Sequence, residues 1–343
     1  MSVTIKHIAR AANVSHTTVS RALNDSPLIR PETKARIRAI AESLGYSPNI
    51  SAKSLVLDRS YNIGLFFSTI RVGTTSTFLH DAVRGAGSVV ADPYNLVVRG
   101  IDDCRGSVFP LSRKRFDGLL VMSQSEEDDD FVRSAHDAGI PVVVLNRKTS
   151  VPGVASISSD DRGGVRRLTD YLIGCGHVRI AAIEGKPGFK STEERREGFL
   201  EAFRRRGLSE PPEEYRQPGS YDIESGYAAM KRLLELRPRP TAVFCFNDEM
   251  AVGALKAIRE AGLEVPRDLS VAGFDDAAIA AYLTPALTTV RRPIERISRE
   301  GAELLMRLVN GRRSEEARAV VVDAELVVRE SVCPPPARPL SES

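Results

Sequence analysis

Three apolar runs in this 343-residue chain end abruptly in side chains that could grip a small polar molecule. They read Leu145-Asn146-Arg147, Phe246-Asn247-Asp248 and Phe274-Asp275-Asp276. Two further residues fit the same chemistry. Arg195 lies near the start of a helical stretch at 193–206, and Tyr221 follows Gly219-Ser220 just ahead of another beginning near Ile223. Asn and Asp with a bidentate Arg can bind vicinal hydroxyls, and an aromatic ring can stack on the C–H face of a sugar. A few convergent polar groups beside a flat apolar wall suit a small polar ligand. Plainer roles compete: Asp248 and Asp276 as helix N-caps, Arg195 paired with a Glu of its own helix, Asn247 and Asp275 as caps or turn formers.

A second set of chemically capable residues sits near the N-terminus. Thr4 is a good N-cap for a helix over 5–12, in which Ile5, Ile8, Ala9 and Ala12 share one face. Asn13 can take the left-handed conformation that stops it. Ser15 then caps a second helix, 16–23, which buries Val19, Ala22 and Leu23 and exposes His16, Thr17, Ser20 and Arg21. Asn24-Asp25-Ser26-Pro27 breaks the chain, and a third helix spans about 31–44, with Ile37, Ile40, Ala41 and Leu44 inward. Two short helices joined by a tight turn, then a third, follow the helix-turn-helix plan, whose second helix enters the DNA major groove. Arg there can bind guanine, and Ser, Thr and helix-terminal N–H groups can hold phosphates. A three-helix bundle that binds protein would show the same spacing.

These side chains need scaffolds. Beyond residue 60 the chain alternates strand-like runs (61–67, 96–99, 118–122, 141–146, 178–184, 242–247, 269–274) with helical patterns (77–91, 128–138, 161–173, 193–206, 223–236, 249–261, 294–309). Unbroken apolar strands between helices indicate parallel sheets covered on both faces. In such sheets ligands bind outside the carboxyl ends of the strands, where the three polar switches fall. Two further strands are expected at 319–322 and 326–328.

The chain resembles the lac-repressor (LacI/GalR) family of bacterial transcription regulators. Val3-Thr-Ile-Lys6, Ala11-Ala-Asn-Val-Ser15, Thr18-Val-Ser-Arg21, Leu44-Gly-Tyr-Ser-Pro-Asn49 and Ala52-Lys-Ser-Leu55 carry the likeness, which continues to about Arg329. The resemblance implies a helix-turn-helix head (1–47) and a hinge helix with linker (48–60). An effector-binding and dimerisation body of periplasmic-binding-protein-like fold (61–330) and a disordered Pro-rich tail (331–343) follow. It implies lobes of about 61–158 plus 288–313 and 159–286 plus 315–330, with crossings near 158, 287 and 314. Candidate DNA contacts are Thr4, Ser15, His16, Thr17, Thr18, Ser20, Arg21 and Asn24, with Ala52, Lys53 and Leu55 in the hinge. Leu55 matches a leucine that wedges into a base step from the minor groove, unstacking it and bending the duplex. Candidate effector contacts are Phe78, Leu79, Asn146, Arg195, Tyr221, Asn247 and Asp275; where the family's ligands often meet an acid, this chain has Asn146.

Composition agrees with a soluble globular protein: 42% hydrophobic, 27% charged, no apolar run of about 18 residues and no apolar leader after Met1. A cytosolic location is expected. Net charge is only +3, but residues 1–60 hold nine Lys or Arg and four acids, a net +5, leaving −2 for the remainder. A basic head on a near-neutral body suggests a polyanion-binding module. Cys104, Cys175, Cys245 and Cys333 show no zinc or redox spacing, and five scattered histidines show no metal spacing. Gly185-Lys-Pro-Gly-Phe-Lys-Ser191 falls short of a P-loop because Phe189 replaces the Gly before Lys. The acidic run 126–130 reads as capping and solvating a helix. No cofactor or metal is expected, and no enzyme.

The expectation is therefore a homodimeric, effector-responsive repressor of carbohydrate-utilisation genes. It would bind a near-palindromic double-stranded operator, sense a sugar or sugar derivative and have no membrane association. The alternatives are a regulator sensing a nucleobase, or a solute-binding protein of a transport system, which would need a signal peptide and no basic head. The Pro-rich tail lacks the heptads of a tetramer-forming helix.

Overall fold

The computed structural model describes residues 3–46, 59–70, 74–104, 111–311 and 318–335. The chain divides into two compact units, Met1–Arg59 and Ser60–Ser343. The expected hinge helix, with Ala52, Lys53 and Leu55, lies outside the described residues, as does the tail beyond 335.

The first unit is three helices: α1 (Ile5–Ala12), α2 (His16–Leu23) and α3 (Pro31–Ser43). Asn13, at φ 50°, stops α1 in the left-handed conformation. Ser15 Oγ accepts Thr18 N–H at 3.0 Å and starts α2. Ile8, Ala12, Val19, Ala22, Ile37 and Ala41 form the core. The turn between α2 and α3 is tied by Asp25, which pairs with Lys34 at 3.0 Å and Arg38 at 2.9 Å.

The second unit holds two parallel sheets. The first orders its strands β11-β5-β4-β3-β1-β2: β1 (Asn62–Phe67), β2 (Asn95–Gly100), β3 (Gly118–Met122), β4 (Val142–Leu145), β5 (Ala155–Ser159) and β11 (Ala319–Val322). The second orders β7-β6-β8-β9: β6 (Ile180–Ile183), β7 (Arg216–Gln217), β8 (Ala242–Cys245) and β9 (Ser270–Ala272). A short antiparallel pair joins β10 (Thr289–Arg291) to β12 (Glu325–Val327). The helices are α4 (Ser76–Gly87), α5 (Asp129–Asp137), α6 (Asp161–Gly174), α7 (Lys190–Arg205), α8 (Ile223–Glu235), α9 (Asp248–Glu260) and α10 (Ile294–Val309). Strands buried on both faces, such as Leu119–Met122, explain the unbroken apolar runs.

The lobe boundaries expected from the sequence need correction. Residues 289–291 pair with β12 and pack on α6, so they belong to the second lobe rather than the first. Residues 319–322 pair in parallel with β5, so they belong to the first lobe rather than the second. The crossings fall near 160, 292 and 323, because backbone pairing, not the loops at 287 and 314, decides where each lobe ends. The tail also begins later than expected. Ser331 and Val332 are buried, and Cys333 N–H donates to Ser270 Oγ at 3.1 Å, so these residues are held in the second lobe.

The acidic run 126–130 does more than solvate a helix. Asp128 and Asp129 are buried. Asp129 binds Arg147 at 2.6 Å and accepts from Thr149 and Ser150 hydroxyls at 2.9 and 2.7 Å. Burial by itself would raise its carboxyl, but the Arg147, Ser150 and Thr149 hydrogen bonds outweigh burial and hold it at about 2 against an ordinary 3.8. A depressed folded-state value stabilises the fold above the unfolded value, and that contribution is lost as pH falls through the folded one. We expect Asp129 to contribute ~2 kcal/mol at neutral pH, lost as pH falls from about 4 to about 2. Urea melts of wild type and Asp129→Asn across that range should converge; parallel curves would contradict the assignment.

Candidate functional site

In the head, the exposed face of α2 presents His16, Thr17 and Arg21, with Ser15 and Asn24 exposed at its two ends. Ser20 and Thr18 are half-buried. The Ser15 and Thr18 hydroxyls are 2.8 Å apart and serve the helix cap. Thr4 is exposed at the start of α1, where its N–H donates to His7 Nδ1 at 3.1 Å, a bond the sequence reading did not anticipate. Arg21, His16 and Thr17 are thus the exposed side chains of the face.

In the body, the carboxyl ends of the strands converge on a small cavity between the lobes. Its walls are Arg195, Tyr221, Asn247 and Asp275, all anticipated from sequence, with Phe78 from α4. Thr75, Gln124, Ser191 and Arg292 complete the lining and were missed. Gln124 could have been found by the rule that found the others, since it follows the end of β3. Arg292 could not, because an Arg-Arg-Pro segment reads as ordinary surface.

Two of the anticipated residues are elsewhere. Leu79 turns away from the cavity and packs on the core of the first lobe, because on a helix only one of two adjacent positions can face a given site. Asn146 stands one bond behind the cavity: its Nδ2 donates to Ser123 O at 2.7 Å and its Oδ1 accepts from Arg292 Nη2. The capping roles also shift by a residue. Asn247 caps α9, accepting Met250 N–H at 2.9 Å, while Asp248 is buried and accepts from Ala277 N–H and Thr289 Oγ1, each at 2.7 Å. Asp276 pairs with Arg291 and Arg329 at 2.8 and 2.6 Å instead of capping a helix.

The backbone at this site is held in conformations L-residues seldom adopt. Asn146, Tyr221 and Asp275 have φ of 77°, 69° and 113°. Such conformations cost about 1–3 kcal/mol each and persist where the surroundings over-determine them. Tyr221 is the clearest case, being bulky. Asn247 Nδ2 donates to its carbonyl at 2.9 Å, its hydroxyl lies 3.1 Å from Ser191 Oγ and 2.7 Å from Thr192 Oγ1, and its ring stacks on Phe189. Gly185 makes room for the ring: a Cβ there would stand 2.0 Å from Tyr221 Cζ. Gly185→Ala is therefore expected to lower stability by about 1–3 kcal/mol through overpacking. Thermal melts check it, and an unchanged melting temperature would show that the ring is free to move.

Electrostatics centre on Asp161, at the start of α6. Its Oδ2 accepts from Arg195 Nε and Nη2 at 3.0 and 2.9 Å, and its Oδ1 from Arg292 Nε at 3.1 Å. Arg195 therefore does not pair with a Glu of its own helix; it also donates to Phe246 O and lies 3.8 Å over the Phe274 ring. Burial pushes the Asp161 carboxyl up, but the adjoining Arg292 and Arg195 cations prevail and leave it below the ordinary carboxylate range. Asp275 is 3.6 Å from Arg195, and burial raises its carboxyl despite that cation. Asp248, buried with no cation within ion-pair distance among the described residues, is raised well above the ordinary range by burial and by Asp275. No group of His, Cys, Asp or Glu among the described residues could hold a metal, and Cys175, Cys245 and Cys333 are free thiols.

A three-helix head and a two-lobed α/β body with a polar cleft define a DNA-binding transcription regulator with a periplasmic-binding-protein-like body. The comparisons agree. The model for bacterial regulatory proteins of the lacI family matches residues 4–49, and that for a periplasmic binding protein-like domain matches 169–332. The Bacillus subtilis (strain 168) protein named "Probable HTH-type transcriptional repressor ExuR" is 47% identical over 96% of this chain and 98% of its own length. The HTH-type transcriptional repressor PurR of Serratia proteamaculans (strain 568) is 35% identical over 97% and 98%. Among solved structures, the lac repressor dimer bound to operator and the anti-inducer ONPF superposes with a TM-score of 0.84 at 26% identity, over 97% of this chain and 100% of that one. The transcriptional regulator CelR in complex with cellobiose gives 0.72 at 32% identity, over 96% and 99%. The chain belongs to the lacI family of bacterial regulatory proteins; it is a DNA-binding transcriptional repressor and not an enzyme. No helix among the described residues is long and apolar enough to cross a membrane.

Proposed function

We propose that this repressor binds a near-palindromic operator as a homodimer, and that a sugar or sugar derivative held between the lobes shifts its operator affinity. The convergence of Asp275, Arg195 and Asn247 with the Tyr221 and Phe78 rings on one cavity carries the ligand reading. A carboxylate, a guanidinium and an amide match a polyol's hydroxyls, and the rings match its C–H faces. The solved CelR–cellobiose complex of a related regulator supports a carbohydrate ligand. The cavity measures about 30 Å³, room for little more than one water, so a sugar ring must part the lobes to enter. Lobe movement of this kind is what links a ligand to a second site.

On the DNA side, His16, Thr17 and Arg21 read bases, while Thr4, Ser15, Thr18, Ser20 and Asn24 position the head on phosphates. Ala52, Lys53 and Leu55 act in the minor groove. The genes controlled are those of carbohydrate utilisation, in the cytosol. Leu55→Ala is expected to weaken binding to the selected operator by about ten-fold or more while leaving random-sequence binding nearly unchanged, since an apolar wedge contributes only where the step can be unstacked. Gel shifts on both DNAs test it, and equal losses would remove the wedge.

The function as a whole is tested by a thermal-shift screen of the purified protein against sugars, sugar phosphates, nucleosides and nucleobases. A ligand at 100 times its Kd adds about 2.7 kcal/mol, visible as a raised melting temperature. A sugar hit that also changes operator affinity supports the proposal. A hit confined to nucleobases or nucleosides overturns the carbohydrate reading.

A further inference from the structure

The geometry assigns to Asp161 a positioning role: it couples the ligand cavity to the hinge between the two lobes. This rests on the effector function proposed for the cleft. The chain passes between lobes near 160, 292 and 323. Asp161 belongs to the first of these segments and is 4% exposed. Each of its carboxylate oxygens holds a different arginine: Oδ2 holds Arg195 and Oδ1 holds Arg292. Arg195 is anchored wholly in the second lobe, through the Phe246 carbonyl and the Phe274 ring. Arg292 lies on the second crossing, and its guanidinium also reaches Asn146 at the end of β4, in the first lobe.

The third crossing is joined to the first as well. Asp160 N–H donates to Val322 O at 2.8 Å, and Arg167 Nη2 donates to Ala324 O at 2.6 Å. One buried carboxylate thus clasps two crossings and grips both arginines that line the cavity, while Asp161 is itself absent from the lining. A sugar held by Arg195 and Arg292 cannot shift either without pulling on Asp161, and Asp161 cannot move without moving the crossings. Packed interiors answer such a pull by switching between discrete arrangements, and coupling requires an element whose equilibrium both sites bias. The Asp161 clasp is that element.

The test uses the full chain as wild type, Asp161→Asn and Asn146→Gly. Asparagine keeps the shape of the side chain but removes the charge that both arginines share. Asn146→Gly removes the hydrogen bond that ties Arg292 to the first lobe and leaves there its contact over the Phe78 ring, 5.6 Å away; glycine accepts the φ of 77° without strain and leaves no charge newly unpaired. The probe is the sugar giving the largest thermal shift with wild type in the screen. Its Kd is measured by calorimetry, and the operator Kd is measured with and without saturating sugar. Wild type is expected to show a coupling ratio of about 5–150-fold. In both variants that ratio should fall to within about two-fold of unity, with the sugar's own Kd changing far less than the coupling does.

A folded variant that keeps the wild-type ratio overturns the inference. So does a variant that loses sugar affinity in proportion to coupling, which would make it a binding residue. If Asp161→Asn fails to fold, Asn146→Gly decides alone. If no sugar shifts wild type, the effector reading itself fails and takes the clasp with it; if wild type responds and both variants respond equally, only the clasp falls.

Discussion

Operator affinity is expected to drop steeply as salt rises, by roughly 0.9 log unit per tenfold rise in salt for each phosphate contact. The first sixty residues carry a net +5 against −2 for the rest. Lys6, Arg10, Arg21 and Arg30 are exposed on the head, and none of them forms an ion pair among the described residues. Each is therefore available to displace counterions from a duplex. A dimer making six to ten such contacts would lose roughly 10³–10⁵ in affinity between 50 and 200 mM salt. By contrast, body cations such as Arg204 and Lys256 are already held by carboxylates, those of Glu210 and Glu260. Fluorescence anisotropy on a labelled duplex measures it, and a flat titration would be incompatible with DNA binding through this head.

Asp275→Ala is expected to reduce effector affinity by about a hundred-fold, so that the thermal shift disappears at ligand concentrations that saturate wild type. The carboxylate lines the cavity, and Arg195 neutralises it only partly, at 3.6 Å. Hydrogen bonds to a charged group contribute about 1.5–3 kcal/mol each, and the buried ligand hydroxyls would lose their acceptor outright. The substitution removes a buried acid whose carboxyl burial already disfavours in its charged form, so the unliganded protein should melt at or near the wild-type temperature. A variant that retains the full ligand-induced shift would take Asp275 out of the site.

Much of the site was legible because strands in parallel sheets end where ligands bind. Asn247 and Asp275 stand at such ends, and a switch from apolar to polar residues marks them in the sequence; Tyr221 is marked instead by its place after Gly219-Ser220, just ahead of a helix. The head was legible for a similar reason: the spacing of Ile5, Ile8, Ala12, Val19, Ala22 and Ile37 determines three helices locally, with caps at Ser15 and Asn13. Strand β5 escaped notice because its sequence, Ala-Ser-Ile-Ser-Ser, has little apolar content, although four of its five residues are buried in the sheet. Leu79 was placed at the cavity by the family resemblance, and Asn146 by that resemblance and its polar switch at a strand end. Which way a side chain faces depends on neighbours that the local pattern does not contain.

The sequence by itself determined the head, the alternation of strands and helices, the separation of charge between head and body, and four of the cavity's residues, Arg195, Tyr221, Asn247 and Asp275. The first three depend on local periodicity or composition and the last on polar chemistry at strand and helix ends, whereas Phe78 followed from the family resemblance. The tertiary structure alone decided which strands close each lobe, where the chain crosses between them, and that Asp161 and Arg292 meet. Asp161 and Arg292 lie 131 residues apart in sequence. Their ion pair exists because β5 and β10 deliver them to the same point, and a contact of that separation is set by chain topology, not by any pattern a local window can hold.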